Sequence, residues 1–396
     1  MLLLNQHPAH GQPLHSDDKA SLGPGAVPAV RRFLAYRKAE QPTPLVPLPH
    51  LARQLGVAGL LIKDESSRLG LGSFKALGGA FAVLNLVLDQ ARNTLGLQVD
   101  FTDLDSLAVR AIAKKMTVGC ATDGNHGRSV AAGASMVGAQ AAIFVHEGVS
   151  EQRVAAIAKF GAKIIRVAGN YDDAVAEAAR VCAANNWTIV SDTSWPGYDR
   201  IPSVVMQGYT VMVDEALRAA GQPPTHVFIQ AGVGGLAAAV AGHLAAVLGD
   251  RRPKFIVVEP ERAACVLQSV QAGQPIKISH GEPTVMAMLE CYEPSLVAWR
   301  VLQRCADAFM TVGEQNAVEA MRVLANPEGG DRPIVAGESG GAGLAGLTRV
   351  CRDAGLREML DLGPSSRVLL INTEGATDPV RYGSLVGKTP AEVLAA

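Results

Sequence analysis

Short apolar segments alternate with segments of helical periodicity along most of the chain, and this alternation most constrains the fold. It is clearest between 118 and 190, where apolar runs at 118–121, 141–145, 163–167 and 188–190 flank amphipathic segments. Apolar strands separated by helices of about 10 to 16 residues form parallel sheets that carry helices on both faces. The sequence therefore predicts an α/β protein.

The same alternation continues on both sides of that block. We predict further strands at 60–63, 226–230, 255–258 and 367–371, and helices that start at Lys75 and span 126–137, 151–160, 172–185 and 203–220. The interval 96–192 is predicted to be a small α/β domain. Residues 1–95 and 193–396 are then predicted to form a large domain.

Two segments lack this alternation. Residues 1–58 are rich in proline and polar residues, with four prolines between positions 42 and 49, and they predict an extended arm. Residues 90–115 predict a polar connection between the two regions of regular structure.

Composition narrows the functional classes. The chain has 396 residues, of which 48% are hydrophobic, so it can bury a large core. Its net charge of −1 favours neither nucleic acid nor an anionic membrane surface as a partner. No uncharged apolar run reaches about 18 residues, and the apolar start at 1–4 is too short for a signal peptide. We therefore expect a cytoplasmic protein that binds neither nucleic acid nor membrane.

The six cysteines are scattered along the chain and form no CxxC motif, which argues against a zinc site or a disulfide scaffold. Cysteines of proteins inside the cell are usually reduced. We therefore expect free thiols and no metal, and the sequence leaves open whether Cys265 and Cys291 pair.

Lys75 lies at the centre of the most distinctive stretch, KDESSRLGLGSFKALGGAF at 63–81. A glycine-rich loop precedes it and apolar residues at helical spacing follow it, so Lys75 is predicted in the first turn of a helix. The positive end of a helix dipole and burial both lower the pKa of a lysine. A lysine with a lowered pKa is a nucleophile toward carbonyl groups and forms a Schiff base. The alternative is a solvated lysine at the end of a loop.

A second stretch, TDGNHG from Thr122 to Gly127, lies between a predicted strand and a predicted helix. In open α/β sheets, ligands bind at the carboxyl ends of strands near helix N-termini, where backbone N–H groups hold carboxylates. Asp123 and Asn125 add an acid or base and a neutral hydrogen-bonding group. The alternative is a helix N-cap built from the same residues.

A third stretch, QAGVGGL at 230–236, also joins a strand to a helix, and its glycines let the backbone approach a phosphate closely. It also fits the pattern G-x-G-x-x-A, with Glu259 at the end of the next strand, which is the fingerprint of dinucleotide-binding enzymes. A plain turn is the third interpretation. A P-loop is excluded because no Gly-Lys-Ser/Thr follows.

Two later stretches are GESGGAG at 337–343 and VLLINTEG at 368–375. Each has two interpretations: it is part of a binding site, or it is only a helix cap and a turn. In chain order, the Ser-Phe-Lys context, the Asn loop, the glycine loop and the late strand with a hydroxyl residue resemble the fold type II pyridoxal phosphate enzymes. These include threonine dehydratase, serine racemase and the tryptophan synthase β subunit. The resemblance implies an α/β fold with two open, twisted, mostly parallel sheets flanked by helices.

Within that group the sequence is most similar to diaminopropionate ammonia-lyases, in KDES, GSFKALGGAF, ATDGNHGR, GNYDD, SDTSW, QAGVGGLA and GESGGAGL. The resemblance covers nearly the whole chain after residue 30. Asp123 is the discriminating residue, because the dehydratases usually have a small neutral residue before Gly-Asn-His. An elimination that expels an amine has use for an additional acid or base.

The resemblance implies roles for individual residues. Lys75 would bind pyridoxal 5'-phosphate as a Schiff base, Asn125 would hydrogen-bond to the ring oxygen, and Phe74 would pack beside the ring. Thr373 would meet the pyridine nitrogen, with Glu338 as the competing candidate. Backbone N–H groups would hold the phosphate at Gly232, Val233, Gly234, Gly235 and Leu236.

The substrate contacts follow from the same resemblance. Thr122, Gly124 and His126 would receive the substrate carboxylate, and Asp192 would hold an amino group. Lys75 and Asp123 would be the catalytic pair, placed on opposite faces of the substrate so that L and D isomers both react.

The implied reaction is the α,β-elimination of 2,3-diaminopropionate to aminoacrylate, which hydrolyses to pyruvate, with release of two molecules of ammonia. Three alternatives stay open at this point: a serine or threonine dehydratase or racemase of the same fold, a dinucleotide-dependent oxidoreductase, and a cofactor-bound regulatory protein. A homodimer is expected from the resemblance alone.

Overall fold

The computed structural model describes residues 1–122 and 124–395 of the chain; Asp123 and Ala396 lie outside the described residues. The strands in the described part are, in chain order, β1 (Leu2–Leu4), β2 (Leu45–Pro47), β3 (Gly59–Asp64), β4 (Thr117–Ala121), β5 (Gln140–His146), β6 (Lys163–Val167), β7 (Thr188–Ile189), β8 (His226–Gln230), β9 (Lys254–Pro260), β10 (Ala308–Val312) and β11 (Arg367–Asn372).

The α-helices of the same residues lie between and around these strands. They are α1 (Ser16–Leu22), α2 (Val27–Tyr36), α3 (Pro49–Gln54), α4 (Lys75–Leu95), α5 (Leu107–Ala113), α6 (Asn125–Val137), α7 (Glu151–Ala158), α8 (Tyr171–Ala184), α9 (Arg200–Ala219), α10 (Gly235–Leu248), α11 (Cys265–Ala272), α12 (Leu296–Cys305), α13 (Glu314–Ala325), α14 (Ala342–Cys351), α15 (Ala354–Met359), α16 (Pro379–Val386) and α17 (Pro390–Ala395).

The larger sheet has the strand order β1-β10-β9-β8-β11-β3-β2. Its five inner strands run parallel, and β1 and β2 close the two edges in antiparallel orientation. The last strand of the chain, β11, lies between β3 and β8, so that Val368 pairs with both Leu60 and His226. The inner strands are buried on both faces, as parallel strands covered by helices must be.

The smaller sheet is wholly parallel and has the order β6-β5-β4-β7. Helices α6 and α8 pack against its central strands. The predicted α/β architecture of two mostly parallel sheets flanked by helices is confirmed. The predicted domain bounds at 96 and 192 stay a prediction, and the smaller sheet itself spans residues 117–189.

Helix α4 crosses α9 at unusually close range, and two glycines make the crossing possible. A Cβ atom at Gly208 would lie 2.6 Å from the carbonyl oxygen of Leu77, and a Cβ atom at Gly78 would lie 2.6 Å from the ring of Tyr209. Because neither clash involves the flexible end of a side chain, both positions require glycine. The crossing places the Tyr209 ring directly beside the first turn of α4.

The predicted order of strands and helices agrees with the structure, and the strands at 163–167 and 226–230 have the predicted bounds. The extended arm predicted for 1–58 is wrong, since that segment contains α1, α2 and α3. Prolines lie in the first turn of α2 and α3, where their missing N–H costs nothing, so proline content did not exclude helices.

The polar connection predicted for 90–115 is also wrong, because α4 continues to Leu95 and α5 follows it. Strand β10, whose five residues are all buried between β9 and β1, was not predicted from the sequence. Within the described residues, no helix combines the length and apolar character needed to cross a bilayer.

Candidate active site

A pocket lies where the carboxyl ends of strands from both sheets meet. Ala121 ends β4, Gln230 ends β8, and Asp192 and Thr373 follow β7 and β11 closely. Among the described residues, all of the predicted cofactor and substrate residues line this pocket: Phe74, Lys75, Thr122, Gly124, Asn125, His126, Asp192, Gly232, Val233, Gly234, Gly235, Leu236 and Thr373.

Lys75 is the first residue of α4, as predicted, and the loop before it is bonded to the end of β11. Phe74 N donates to Thr373 O at 2.9 Å, and Gly375 N donates to Gly72 O at 3.0 Å. Because β11 is an inner strand of the larger sheet, these main-chain bonds fix the start of α4 relative to that sheet.

A buried cluster of charges supports the same loop. Arg68 donates from Nε to Glu65 Oε2 at 2.7 Å and from Nη2 to Glu215 Oε2 at 2.6 Å. Lys63 Nζ donates to Glu215 Oε2 and to Thr43 O, both at 2.6 Å. Two cations thus face two carboxylates out of water, which is the condition under which buried charges are tolerated. The motif KDES was recognisable in the sequence, but its partner Glu215 on α9 was not.

Lys75 Nζ contacts Asp192 Oδ2, and this contact overturns the expected lowering of the lysine pKa. Burial lowers the pKa of Lys75, but the charge and hydrogen bond of Asp192, together with smaller effects of Tyr209 and Cys291, raise that pKa above its usual value. In return, burial raises the pKa of Asp192, whereas the charge and hydrogen bond of Lys75 hold that pKa well below its usual range. The pocket therefore holds an ammonium and a carboxylate in direct contact.

His126 lies beside this pair. Its Nε2 is 2.8 Å from Val190 O, and its Nδ1 is 3.9 Å from Asp192 Oδ2 and has no hydrogen-bond partner among the described residues. Burial, aided by the charge of Lys75, lowers the pKa of His126 despite the opposing effect of Asp192. A neutral ring that donates from Nε2 to the carbonyl presents a lone pair on Nδ1.

Thr122 shapes the start of α6. Its Oγ1 accepts from Gly124 N and from Gly127 N, both at 3.0 Å, and Gly124 has a φ of +151°. The side chain that accepts from the first turn of α6 is therefore that of Thr122, which the helix-cap alternative did not include and which also lines the pocket. Asp123, predicted as the second catalytic residue, lies outside the described residues.

The glycine loop leads into α10, whose first turn has no side-chain cap. The first N–H groups of a helix lack intrahelical partners, and together with the helix dipole they bind phosphate. Gly234 has a φ of +95°, and a Cβ atom there would lie 3.2 Å from Ala298 Cβ and Leu302 Cδ1. Glycine is therefore required at this position, and the loop fits a phosphate without a P-loop lysine.

Glu259 was the acidic residue of the dinucleotide alternative. Its carboxylate is fully buried and accepts from Val266 N and Leu267 N, both at 2.8 Å, at the start of α11. Both oxygens are thus used to cap a helix rather than to contact a ribose. This geometry removes the acidic contact that the dinucleotide alternative requires.

Thr373 and Glu338 were the two candidates for the pyridine nitrogen. Gln230 Nε2 donates to Thr373 Oγ1 at 3.0 Å, so the Thr373 hydroxyl proton can be donated into the pocket. Glu338 Oε1 is 2.8 Å from Arg381 Nε, and Glu338 is not among the described residues that line the pocket. These positions favour Thr373 as the partner of the ring nitrogen.

Several pocket residues received no role from the sequence, among them Tyr171, Tyr209 and Glu374. The ring of Tyr209 meets that of Phe74 edge to face, with centroids 4.8 Å apart. Glu374 Oε2 accepts from Asn125 Nδ2 at 2.5 Å. The polar end of VLLINTEG could have indicated Glu374, whereas α9 shows no local signal that would single out Tyr209.

The side chains and backbone groups of this pocket suit pyridoxal phosphate. They offer one lysine amine, an uncapped helix N-terminus, a hydroxyl and a carboxamide, which match the carbonyl, phosphate, ring nitrogen and ring oxygen of that cofactor. The family model of pyridoxal-phosphate dependent enzymes matches residues 36–374 of the chain.

Curated relatives and solved structures agree with that match. The diaminopropionate ammonia-lyase of Escherichia coli is 39% identical over 94% of this chain and 92% of its own length. The Salmonella typhimurium enzyme of the same name is 37% identical over 87% of both chains. The crystal structure of the Escherichia coli enzyme in complex with D-serine superposes with a TM-score of 0.87 at 37% identity, covering 98% of this chain and 96% of that one. The chain therefore belongs to the pyridoxal-phosphate dependent enzymes of fold type II, in the diaminopropionate ammonia-lyase family.

Proposed function

We propose that this protein is a pyridoxal 5'-phosphate-dependent ammonia-lyase that acts on 2,3-diaminopropionate. The observation that carries the proposal is the contact between Lys75 Nζ and Asp192 Oδ2 inside the pocket. A lysine ammonium and a carboxylate that stays ionised are in direct contact there. This pairing suits a substrate with two amino groups, one of which replaces the lysine while the other needs a negative partner.

The residues that would hold the cofactor surround Lys75. The lysine amine would bind its carbonyl carbon, the N–H groups from Gly232 to Leu236 would bind its phosphate, and the Thr373 hydroxyl would donate to its ring nitrogen. When bound, pyridoxal phosphate supplies an electron sink for the negative charge that develops at the substrate Cα. A neutral hydroxyl as the nitrogen partner leaves that nitrogen unprotonated, which makes the sink weaker than an aspartate partner would.

The protein groups then move protons at two positions. Lys75 Nζ, once the substrate amino group has taken its place, receives the Cα proton of the L isomer. Asp192, which contacts the Lys75 ammonium in the cofactor-free protein, would then hold a substrate ammonium in its place. Ammonia leaves from Cβ, and addition of one water to the released aminoacrylate gives pyruvate and the second ammonia.

Asp123 is proposed as the base for the D isomer. The proposal rests on the sequence alone, since Asp123 stands in the loop that would receive the substrate carboxylate. Asp123→Asn keeps the shape of the side chain and removes the base, so activity on D-diaminopropionate should fall by about 10²–10⁴. Activity on the L isomer should fall less, and equal losses would instead indicate a shared role in protonating the leaving amine.

Substrate preference tests the proposed function directly. Serine and threonine lack the β-amino group, so they would leave a buried carboxylate without its cationic partner. We expect kcat/KM for diaminopropionate to exceed that for serine and threonine by about 10²-fold or more. A preference for serine or threonine would assign the protein to the dehydratases of this fold.

The oligomeric state and location of the protein belong to the same proposal. By resemblance to the family we propose a cytoplasmic homodimer. Sedimentation equilibrium of the purified holoenzyme would distinguish a dimer from a monomer of 41.3 kDa.

A further inference from the structure

The carboxamide of Asn125 makes two side-chain hydrogen bonds of opposite polarity. Its Nδ2 donates to Glu374 Oε2 at 2.5 Å, and its Oδ1 accepts from Arg128 Nη2 at 2.8 Å. A guanidinium can only donate and an ionised carboxylate can only accept. The orientation of the amide is therefore dictated by the charges on its two sides.

A flipped amide would be costly at this position. It would set Nδ2 against the guanidinium of Arg128 and Oδ1 against the carboxylate of Glu374, so two charge-assisted hydrogen bonds would become two repulsions. Asn125 is 6% exposed and Glu374 is 3% exposed, so water cannot replace the lost partners. The buried setting thus makes one orientation strongly preferred.

The preferred orientation determines what Asn125 shows to the pocket. Both Asn125 and Glu374 line the pocket, and Nδ2 carries two protons, of which Glu374 takes one. The second proton is available to an acceptor in the pocket. The ring oxygen of pyridoxal phosphate is a negatively charged acceptor, which an amide N–H stabilises and an amide C=O would repel.

We propose that Glu374 and Arg128 are positioning residues that hold the Asn125 amide with an N–H, not a C=O, toward the ring oxygen of pyridoxal phosphate. The inference rests on the proposed cofactor contact of Asn125 and extends it to two residues that would act through it. Glu374 joins Asn125, at the start of α6 beside the smaller sheet, to the end of β11 in the larger sheet.

Burial and the charged groups around Glu374 determine its pKa. Burial, and after it the charge of Glu338, raise the pKa of Glu374 to about 7, while Arg153 and the hydrogen bond from Asn125 act in the opposite direction. Arg128 also interacts electrostatically with Glu374. The acceptor-only form of Glu374 is thus the form present above neutral pH.

The test measures the dissociation constant of pyridoxal phosphate, by titration of the cofactor-free protein without substrate. Glu374→Leu removes the acceptor and should weaken binding by about tenfold or more. Glu374→Gln keeps an oxygen for Asn125 Nδ2 and should stay within about threefold of wild type. Asp18→Asn, at a buried carboxylate paired with Arg300 outside the pocket, is the matched control and should leave the affinity unchanged.

A double-mutant cycle shows whether Glu374 acts through Asn125. In an Asn125→Ala background, Glu374→Leu should weaken cofactor binding by less than about twofold further. Fully additive losses, or a Glu374→Leu protein that binds the cofactor like wild type, would overturn the proposal. Circular dichroism checks that each variant is folded, and the Glu374→Gln result still tests the proposal if Glu374→Leu does not fold.

Arg128 has its own test. In an Arg128→Met background nothing holds Asn125 Oδ1, so Asn125 and the new amide of Glu374→Gln can flip together, and that double variant should lose about tenfold in affinity. Retained affinity there would remove Arg128 from the proposal. Failure of the proposed function is distinguishable, because it would appear as a wild-type protein that takes up no pyridoxal phosphate at all.

Discussion

Lys75 Nζ contacts Asp192 Oδ2, although 117 positions separate the two residues in the chain. The lysine begins α4, which follows a strand of the larger sheet, whereas the aspartate follows β7 of the smaller sheet. The contact therefore spans the pocket from one sheet to the other. Each side chain determines the charge of its partner, so substitution of either should be visible in the titration of the other.

Asp192→Asn should lower the pKa of Lys75, because the neutral amide removes the charge that raises it and leaves the effect of burial. The measurement is the pH dependence of Lys75 labelling by an amine-specific reagent in cofactor-free protein, followed by mass spectrometry. The midpoint should move to lower pH in the variant. An unchanged midpoint would show that Asp192 does not control the protonation of Lys75.

Lys75→Ala should abolish pyruvate formation from diaminopropionate and leave the fold intact, since alanine is the best helix former. Borohydride reduction of the wild-type holoenzyme should attach the cofactor to Lys75 and to no other lysine. Lys159→Ala, which changes an exposed lysine at the end of α7, is the control and should retain full labelling. Turnover of Lys75→Ala within about tenfold of wild type would exclude Lys75 as the reactive residue.

Gly234→Asp should weaken pyridoxal phosphate binding by about 100-fold or more, because it places a carboxylate where the phosphate dianion is proposed to bind. Gly234→Ala separates bulk and backbone strain from charge and should lose less affinity. Gly249→Asp is the matched control. It lies at the other end of α10, also has a positive φ, and a Cβ atom there meets nothing within 4 Å. Equal losses at Gly234 and Gly249 would mean that helix stability, not phosphate contact, is affected.

Glu374 should make stability of the cofactor-free protein depend on pH. Its pKa is raised from 4.5 to about 7, so its contribution to stability is complete below pH 4.5 and is lost as the pH rises through about 7. The amide of Glu374→Gln does not titrate. The melting temperature of this variant, relative to that of wild type at the same pH, should therefore increase from pH 5 to pH 8. The corresponding free-energy change is on the order of 3 kcal/mol.

Glu338→Gln tests the cause of that shift. After burial, the charge of Glu338 contributes to the raised pKa of Glu374. The loss of stability that accompanies ionisation of Glu374 should therefore occur at lower pH in Glu338→Gln than in wild type. A difference between wild type and Glu374→Gln that does not vary with pH would contradict the assignment of this loss to Glu374.

Glu215→Ala should destabilise the fold by about 3–5 kcal/mol, because it leaves the buried cations of Lys63 and Arg68 without one of their two carboxylates. Asp214 is the adjacent residue and a matched control, since it pairs with Arg31 and Arg218 near the surface. Asp214→Ala should cost about 1 kcal/mol or less. Urea denaturation of both variants measures the loss of unfolding free energy. Equal losses would show that the buried cluster stabilises the fold no more than the ion pairs near the surface do.

Local motifs predicted the parts of the site that are built within a few residues. The glycine loop before Lys75 and the glycines at 232–235 each follow a strand and precede a helix, and both lie where the pattern placed them. A βα turn has few conformations that aim backbone N–H groups at a ligand, so its residue types are informative by themselves.

Contacts between distant segments could not be predicted in this way. Lys63 and Glu215 are 152 positions apart, and the partner of Asn125, Glu374, is 249 positions away. Such pairs depend on which strand lies beside which, and the alternation of strands and helices does not specify that order. The raised pKa of Lys75 was missed for the same reason, since its cause is a carboxylate from the other sheet.

The central place of β11 bears on when the protein can become active in the cell. Residues 367–375 are translated after β3, β8 and the loop before Lys75, yet they supply the neighbour of both strands and the main-chain partners of that loop. A nascent chain that stops short of them has an unpaired edge on β3 and an unanchored lysine loop. Capture of the cofactor is therefore expected only after residue 375 has been translated, and chains truncated before residue 367 should emerge colourless and prone to aggregate.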